Sequence, residues 1–169
     1  MKRFPLFALL STLIFAGCQS QSPGSDVIVR REGKPDMVRV AREDPQMNRA
    51  ILKSRKTVDV FIAALKSPKL GQENFSVKKP FKEGEITEHM WLSDLSFDGR
   101  KFKGRVANDP IDVKNVKLGD VATVGKTEIS DWNFSDNGKL IGGESIRLLY
   151  SRLSAPEKKE FLQQTGISF

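Results

Sequence analysis

Asp44-Pro45-Gln46-Met47-Asn48-Arg49-Ala50-Ile51 opens a run that continues unbroken to Lys66-Ser67-Pro68. An Asp at the N-cap and a Pro at the first helical position start a helix. Apolar or small residues then recur at Met47, Ala50, Ile51, Ser54, Val58, Phe61, Ile62 and Leu65, one stripe at the helical period. Asn48, Arg49, Lys53, Lys56 and Asp59 line the other side, a solvated face. Ser67 stands ahead of Pro68, where the α conformation is disfavoured, so the helix stops there. At roughly 22 residues it is about 33 Å long and needs a surface on which to bury its stripe.

Downstream, the pattern changes to strands. Phe75-Ser76-Val77-Lys78 alternates, Ile86 to Leu95 follows, and Asp98-Gly99 marks a hairpin turn into Phe102 to Ala107. Val121 to Gly125 and Ile129 to Phe134 are two further strands, the last stopped by Ser135-Asp136-Asn137-Gly138. Ser93, Ser96 and Ser130 read as solvent-face strand or turn residues. Helical spacing returns at Ile146, Leu149, Tyr150 and Leu153, and Ser154-Ala155-Pro156-Glu157 has the form of a capping box. Gly166 ends that last helix, with Phe161 and Leu162 turned inward. The expected fold is α+β: a long N-terminal helix on a strongly twisted antiparallel sheet of about five strands, with short C-terminal helices.

Upstream, Lys2-Arg3 precedes the apolar run Phe4 to Ile14, closed by Phe15-Ala16-Gly17-Cys18. A basic start, a short apolar segment and small residues at its end make a secretory signal peptide. About a dozen apolar positions fall short of the roughly 20 that span a bilayer. Residues 1–17 are therefore expected to be a signal peptide and 18–25 a tether. Residues 26–43 read as a β-hairpin lead-in, and 44–169 as one α+β domain. The small residues running into Cys18 resemble a bacterial lipoprotein lipobox, with Phe15 where leucine is usual. That resemblance implies acylation of Cys18 and attachment to the membrane through the lipid. Gln19, where retained lipoproteins often carry Asp, implies the outer membrane, with the domain facing the periplasm.

The chain of 169 residues carries 28 Lys+Arg and 21 Asp+Glu, a net charge of +7. Loss of Lys2 and Arg3 with the signal peptide would leave 26 against 21, or +5. The basic residues are scattered rather than gathered with stacking aromatics, which argues against nucleic acid. Cys18 is the only cysteine and His89 the only histidine, so neither an internal disulfide nor a Cys/His metal site is expected. No cofactor is expected, because no phosphate-cradling glycine loop is present, and no serine sits in a Gly-x-Ser-x-Gly nucleophile elbow.

Candidate binding residues are Glu88, His89, Trp91, Asn108, Asp131 and Trp132. In Glu88-His89-Met90-Trp91, strand alternation turns Glu88 away from His89, so the two make a poor acid–base pair. His89 reads better as a packed strand residue. Asp131 is disfavoured in a strand and needs a reason: a ligand contact, or a bond to backbone N–H groups or an Arg such as Arg147. The turn chemistry of Asn108-Asp109-Pro110 explains that loop without a ligand.

These pieces together resemble the YegJ-like bacterial family over about residues 40–166. The likeness rests on Met47-Asn48-x-Ala50-Ile51, Glu88-His89-Met90-Trp91 and Gly104-x-x-Ala107-Asn108-Asp109-Pro110. Leu118-Gly119-Asp120, Ile129-Ser130-Asp131-Trp132 and Gly142-Gly143 continue it in order, and Asp109 stands where that family has Glu. Some members of that family are lipoproteins, and the resemblance brings no reaction, cofactor or catalytic residue. The expectation is a non-enzymatic envelope lipoprotein that binds a protein or peptide, immunity-type toxin neutralisation being one version. The alternatives are a hydrolase or small-molecule binder using Glu88, His89, Asn108 and Asp131 in one pocket, and a peptidoglycan-contacting envelope protein.

Overall fold

The computed structural model describes residues 27–31, 34–39 and 44–169, with side chains described from residue 44 onward. The proposed signal peptide, Cys18 and the tether lie outside the described residues, as do residues 26, 32, 33 and 40–43 of the proposed lead-in. Strand β1 (Val27–Arg31) pairs antiparallel with β2 (Lys34–Arg39).

Helix α1 runs from Pro45 to Lys66, and the Asp44 side chain accepts the backbone N–H groups of Gln46 and Met47. Its stripe buries Ser54, Val58, Phe61 and Ile62. Then follow β3 (Gln72–Glu83), β4 (Ile86–Phe97), β5 (Lys101–Val106), β6 (Val121–Gly125), β7 (Asp131–Asp136) and β8 (Lys139–Gly142). They form one antiparallel sheet in the order β6-β5-β4-β3-β7-β8. The fold is α+β, and the sheet has six strands where about five were expected. The additional strand, β8, pairs with β7 across Asn137-Gly138, both at positive φ. An Asn-Gly pair is a hairpin turn signal, not merely a stop.

Strand β3 is also longer than its alternating core predicts, because it runs through Pro80. Pairing with β7 ends at Lys78, so the missing Pro80 N–H breaks no ladder bond on that side. Helices α2 (Glu144–Arg152) and α3 (Ala155–Thr165) close the chain. The expected capping box forms between Ser154 and Glu157, and Gly166 ends α3 in the left-handed conformation. Phe161 and Leu162 are only half-buried.

The core sits between α1 and one face of the sheet. Fully buried Phe61 meets Phe75, Phe102, Trp132 and Phe134 at centroid distances of 5.8, 5.7, 5.5 and 6.4 Å. Val113 and Val116, from the segment between β5 and β6, complete that layer. Burying one such aromatic side chain contributes about 1.5–3 kcal/mol. On β5 the alternation is strict: Phe102, Gly104 and Val106 are buried while Lys101, Lys103 and Arg105 are exposed.

Gly142 and Gly143 turn the chain from β8 into α2 with φ of 73° and 67°. A Cβ at residue 142 would overlap the Trp132 carbonyl oxygen and lie 2.5 Å from its ring. Left-handed strain and overpacking therefore add at this position. Gly142→Ala is expected to lower unfolding stability by ~2–4 kcal/mol in urea titration. A loss under about 0.5 kcal/mol, the scale of an ordinary surface change, would contradict this packing.

Candidate functional site

Asp131 opens β7 and is fully buried. Its Oδ1 accepts from Ser54 Oγ of α1 at 2.8 Å, from its neighbour Trp132 N at 2.8 Å and from Glu144 N at 3.2 Å. Its Oδ2 accepts from Ser145 N at 2.8 Å and Ser145 Oγ at 2.6 Å. The carboxylate thus caps the first turn of α2, where unpaired N–H groups and the helix dipole favour negative charge. Of the two reasons the sequence offers for this aspartate, backbone bonding holds. Arg147 is not its partner; that guanidinium donates through Nε to the Gly142 carbonyl at 2.9 Å.

Trp132 belongs to the core rather than to a binding surface. Its Nε1 donates to the Ser54 carbonyl at 2.8 Å, and its ring lies parallel to Phe134 at 6.2 Å. By sequence Ser54 is only a small residue in the stripe of α1. A hydroxyl in an otherwise apolar stripe signals a buried polar partner, and that partner is Asp131. Ser130, expected on a solvent face, is instead buried with its Oγ unpaired, where Arg55 of α1 donates through Nε to the preceding Ile129 carbonyl at 2.8 Å.

Glu88, Trp91 and Asn108 meet around a different segment. The Glu88 carboxylate is buried and accepts the backbone N–H groups of Ile111, Asp112 and Val113 at 3.0–3.3 Å. Asn108 Oδ1 accepts from Trp91 N at 2.9 Å. Together they hold residues 108–113 against β4, which seats Val113 in the core.

His89 lies on the opposite face and remains exposed, not packed as the sequence suggested. Desolvation by nearby atoms, then repulsion from Lys78 and Arg55, lowers its pKa from 6.5 to about 4. Solvent reaching the exposed ring screens part of this, but both causes act in the same direction. Lys78 is half-buried on that face, its Nζ 5.2 Å from the centre of the Trp91 ring and 3.5 Å from Ser145 Oγ. Desolvation lowers the Lys78 pKa, opposed by the Asp131 charge.

The six candidates do not share one pocket. Lys78 is the cross-strand neighbour of Trp91 and of Asp131, whereas Phe81 is that of Glu88. Residues 78 and 81 of one strand point to opposite faces, so Glu88 and Asp131 lie on opposite faces of the sheet. Each carboxylate is already surrounded by donors from its own chain. Among the described residues, no group of three or more His, Cys, Asp or Glu side chains could hold a metal ion. No helix among them is long and apolar enough to cross a membrane.

Asp131→Ala should cost ~3–5 kcal/mol of stability, since it strands several buried donors at once. Ser130→Ala should be neutral or stabilising by up to ~1 kcal/mol, because its hydroxyl has no partner to lose. Equal losses in the two variants would refute this account. The depressed His89 pKa means that the unfolded chain binds more protons than the folded one between about pH 4 and 6.5. The His89 contribution to stability is therefore complete above pH 6.5 and lost as the pH falls toward 4. NMR titration should place the imidazole clearly below 6.5, shifted toward 4, and His89→Gln should flatten that part of the stability profile.

Two curated relatives match the chain. One, named as an ankyrin repeat protein (NMB1133/NMB1171) of Neisseria meningitidis serogroup B, is 35% identical over 138 residues, covering 77% of this chain and 54% of the relative. The other, the uncharacterized protein YegJ of Escherichia coli K12, is 37% identical over 100 residues, covering 59% of this chain and 64% of the relative. The chain thus spans between about half and two thirds of the length of these relatives. No solved structure matches it. A family model covers residues 44–169, from the cap of α1 to the end of the chain. The chain belongs to the bacterial family described as "Uncharacterized protein conserved in bacteria (DUF2314)".

Proposed function

We propose that this protein is a non-enzymatic, lipid-anchored envelope protein that holds a protein or peptide partner through its sheet face or edge. The observation that carries the reading is the internal use of Glu88 and Asp131. Acid–base or metal chemistry needs carboxylates that face a substrate, and these two face backbone N–H groups and hydroxyls of their own chain. The pocket alternative requires Glu88, His89, Asn108 and Asp131 to converge, and it loses its support because they do not. A peptidoglycan contact remains compatible with the basic charge, and sedimentation with purified sacculi tests it.

Anchoring rests on Phe15-Ala16-Gly17-Cys18. Acyl chains contribute about 0.8 kcal/mol per buried CH₂, and more than one chain makes attachment stable. Gln19 points to the outer membrane, with the domain on the periplasmic side. Neutralisation of an incoming toxin is one form such partner binding could take.

Crosslinking followed by pull-down from membranes, with Cys18→Ser as control, tests both parts. One dominant crosslinked protein is expected with the acylated form, and an unprocessed, unacylated precursor with Cys18→Ser. Empty eluates would sink the partner reading. Normal acylation of the Cys18→Ser variant would sink the anchor.

A further inference from the structure

Among the described residues, one edge of the sheet is capped and the other is open. At the β8 edge, Leu140 N donates to the Ser168 carbonyl and Lys139 bridges to Ser168, so the C-terminal residues cover that side. Among the described residues, strand β6 pairs only with β5. Gly125 spends its N–H on Glu128 Oε2 and its carbonyl on Glu128 N, both at 2.9 Å. By antiparallel alternation Val121 and Thr123 are in phase with Gly125, so they turn their backbone groups outward. Both residues are exposed. An open edge of this kind accepts an additional strand.

The two sides of that edge differ in chemistry. Toward the core face lies a shallow depression of about 500 Å³ of mixed character, lined by Asp120 to Thr123 together with Lys79, Phe81, Asn115 and Val116. Toward the open face, Lys103 and Arg105 of β5 stand opposite Thr123 and Val121 on one side and Ser96 and Ser93 on the other. None of those four neighbours is acidic. Arg105 Nη1 donates to the Gly119 carbonyl at 3.2 Å, and a carboxylate brought within reach of Lys103 and Arg105 gains a favourable surface ion pair.

We infer that β6 is the docking edge for an extended acidic segment of a partner protein, which adds as a seventh strand. This rests on the partner-binding reading above and names its site and the partner's chemistry. Backbone pairing with Val121 and Thr123 supplies affinity, and alternate side chains supply selectivity. Apolar residues of the segment face Phe81, Val116 and Ala122 in the depression, and Glu or Asp residues between them face Lys103 and Arg105. Strands lie about 4.8 Å apart, so the added strand is roughly 10 Å from β5, within reach of long side chains from both. A second copy of the chain is a poor occupant, because each copy remains basic, +5 once Lys2 and Arg3 are removed, and would bring a like-charged edge.

The test uses the full chain and a fluorescent octapeptide of alternating Glu and Val, with a Lys-Val octapeptide as control. Specific binding of the Glu-Val peptide is expected, weakened about 10-fold or more in Lys103→Glu/Arg105→Glu and reduced at high salt. Thr123→Pro should also weaken it, by removing an outward N–H. If that variant does not fold, the double variant still decides, since both of its sites are exposed. Absent binding, or equal binding to the double variant and the parent, overturns the inference. A concentration-dependent dimer that competes with the peptide would instead make a second copy the occupant, and would also overturn it. If the membrane partner is still captured by the double variant, partner binding stands and only this site falls.

Discussion

The Asp131 carboxylate is the interaction on which the arrangement depends. It gathers five hydrogen bonds from α1, β7 and the first turn of α2. A buried carboxylate without partners would be strongly unfavourable. With these donors it fixes the position at which α1 crosses the sheet and the direction in which α2 leaves it. Trp132 repeats the tie from the other face, through its indole N–H to the Ser54 carbonyl. One residue pair of β7 thus grips one serine of α1 by both side chain and backbone.

Glu88 has the corresponding role two strands away, on β4. It organises an irregular segment whose N–H groups have no ladder to join, and so brings Val113 and Val116 over the core. The two clamps lie on opposite faces and share no cavity. What remains for interaction among the described residues is surface: a face carrying Lys78, His89 and Trp91, and an uncovered strand edge. The aromatic and cationic residues of that face are partly occupied with one another, as the Lys78–Trp91 contact illustrates. The β6 edge, by contrast, offers backbone groups in phase for pairing.

Much of the fold was legible because local chemistry suffices for it. Asp44-Pro45 and Ser67-Pro68 bound α1 with almost no tertiary input, and Ser154 with Glu157 closes its own capping box. Strand β8 was not recovered, since Asn137-Gly138 both ends one strand and starts its partner, and the four residues of β8 are too few to display alternation. The candidate site was legible only in part. Asp131 was recognisable as an anomaly in a strand, and backbone bonding was one of two explanations open. Its partners Ser54 and Ser145 lie 77 residues before it and 14 after it, beyond the range of any local pattern.

The sequence by itself determined the element types, the limits of the long helix, the α+β class and the alternation that separates Glu88 from His89. Those follow from backbone preference, capping and side-chain period, each acting over a few residues. Only the tertiary structure decided the strand order, which edge is left open, and that Glu88 and Asp131 are clamps rather than a paired site. The reason is physical: the role of a carboxylate depends on which donors surround it, and here they come from segments that meet only when the chain folds.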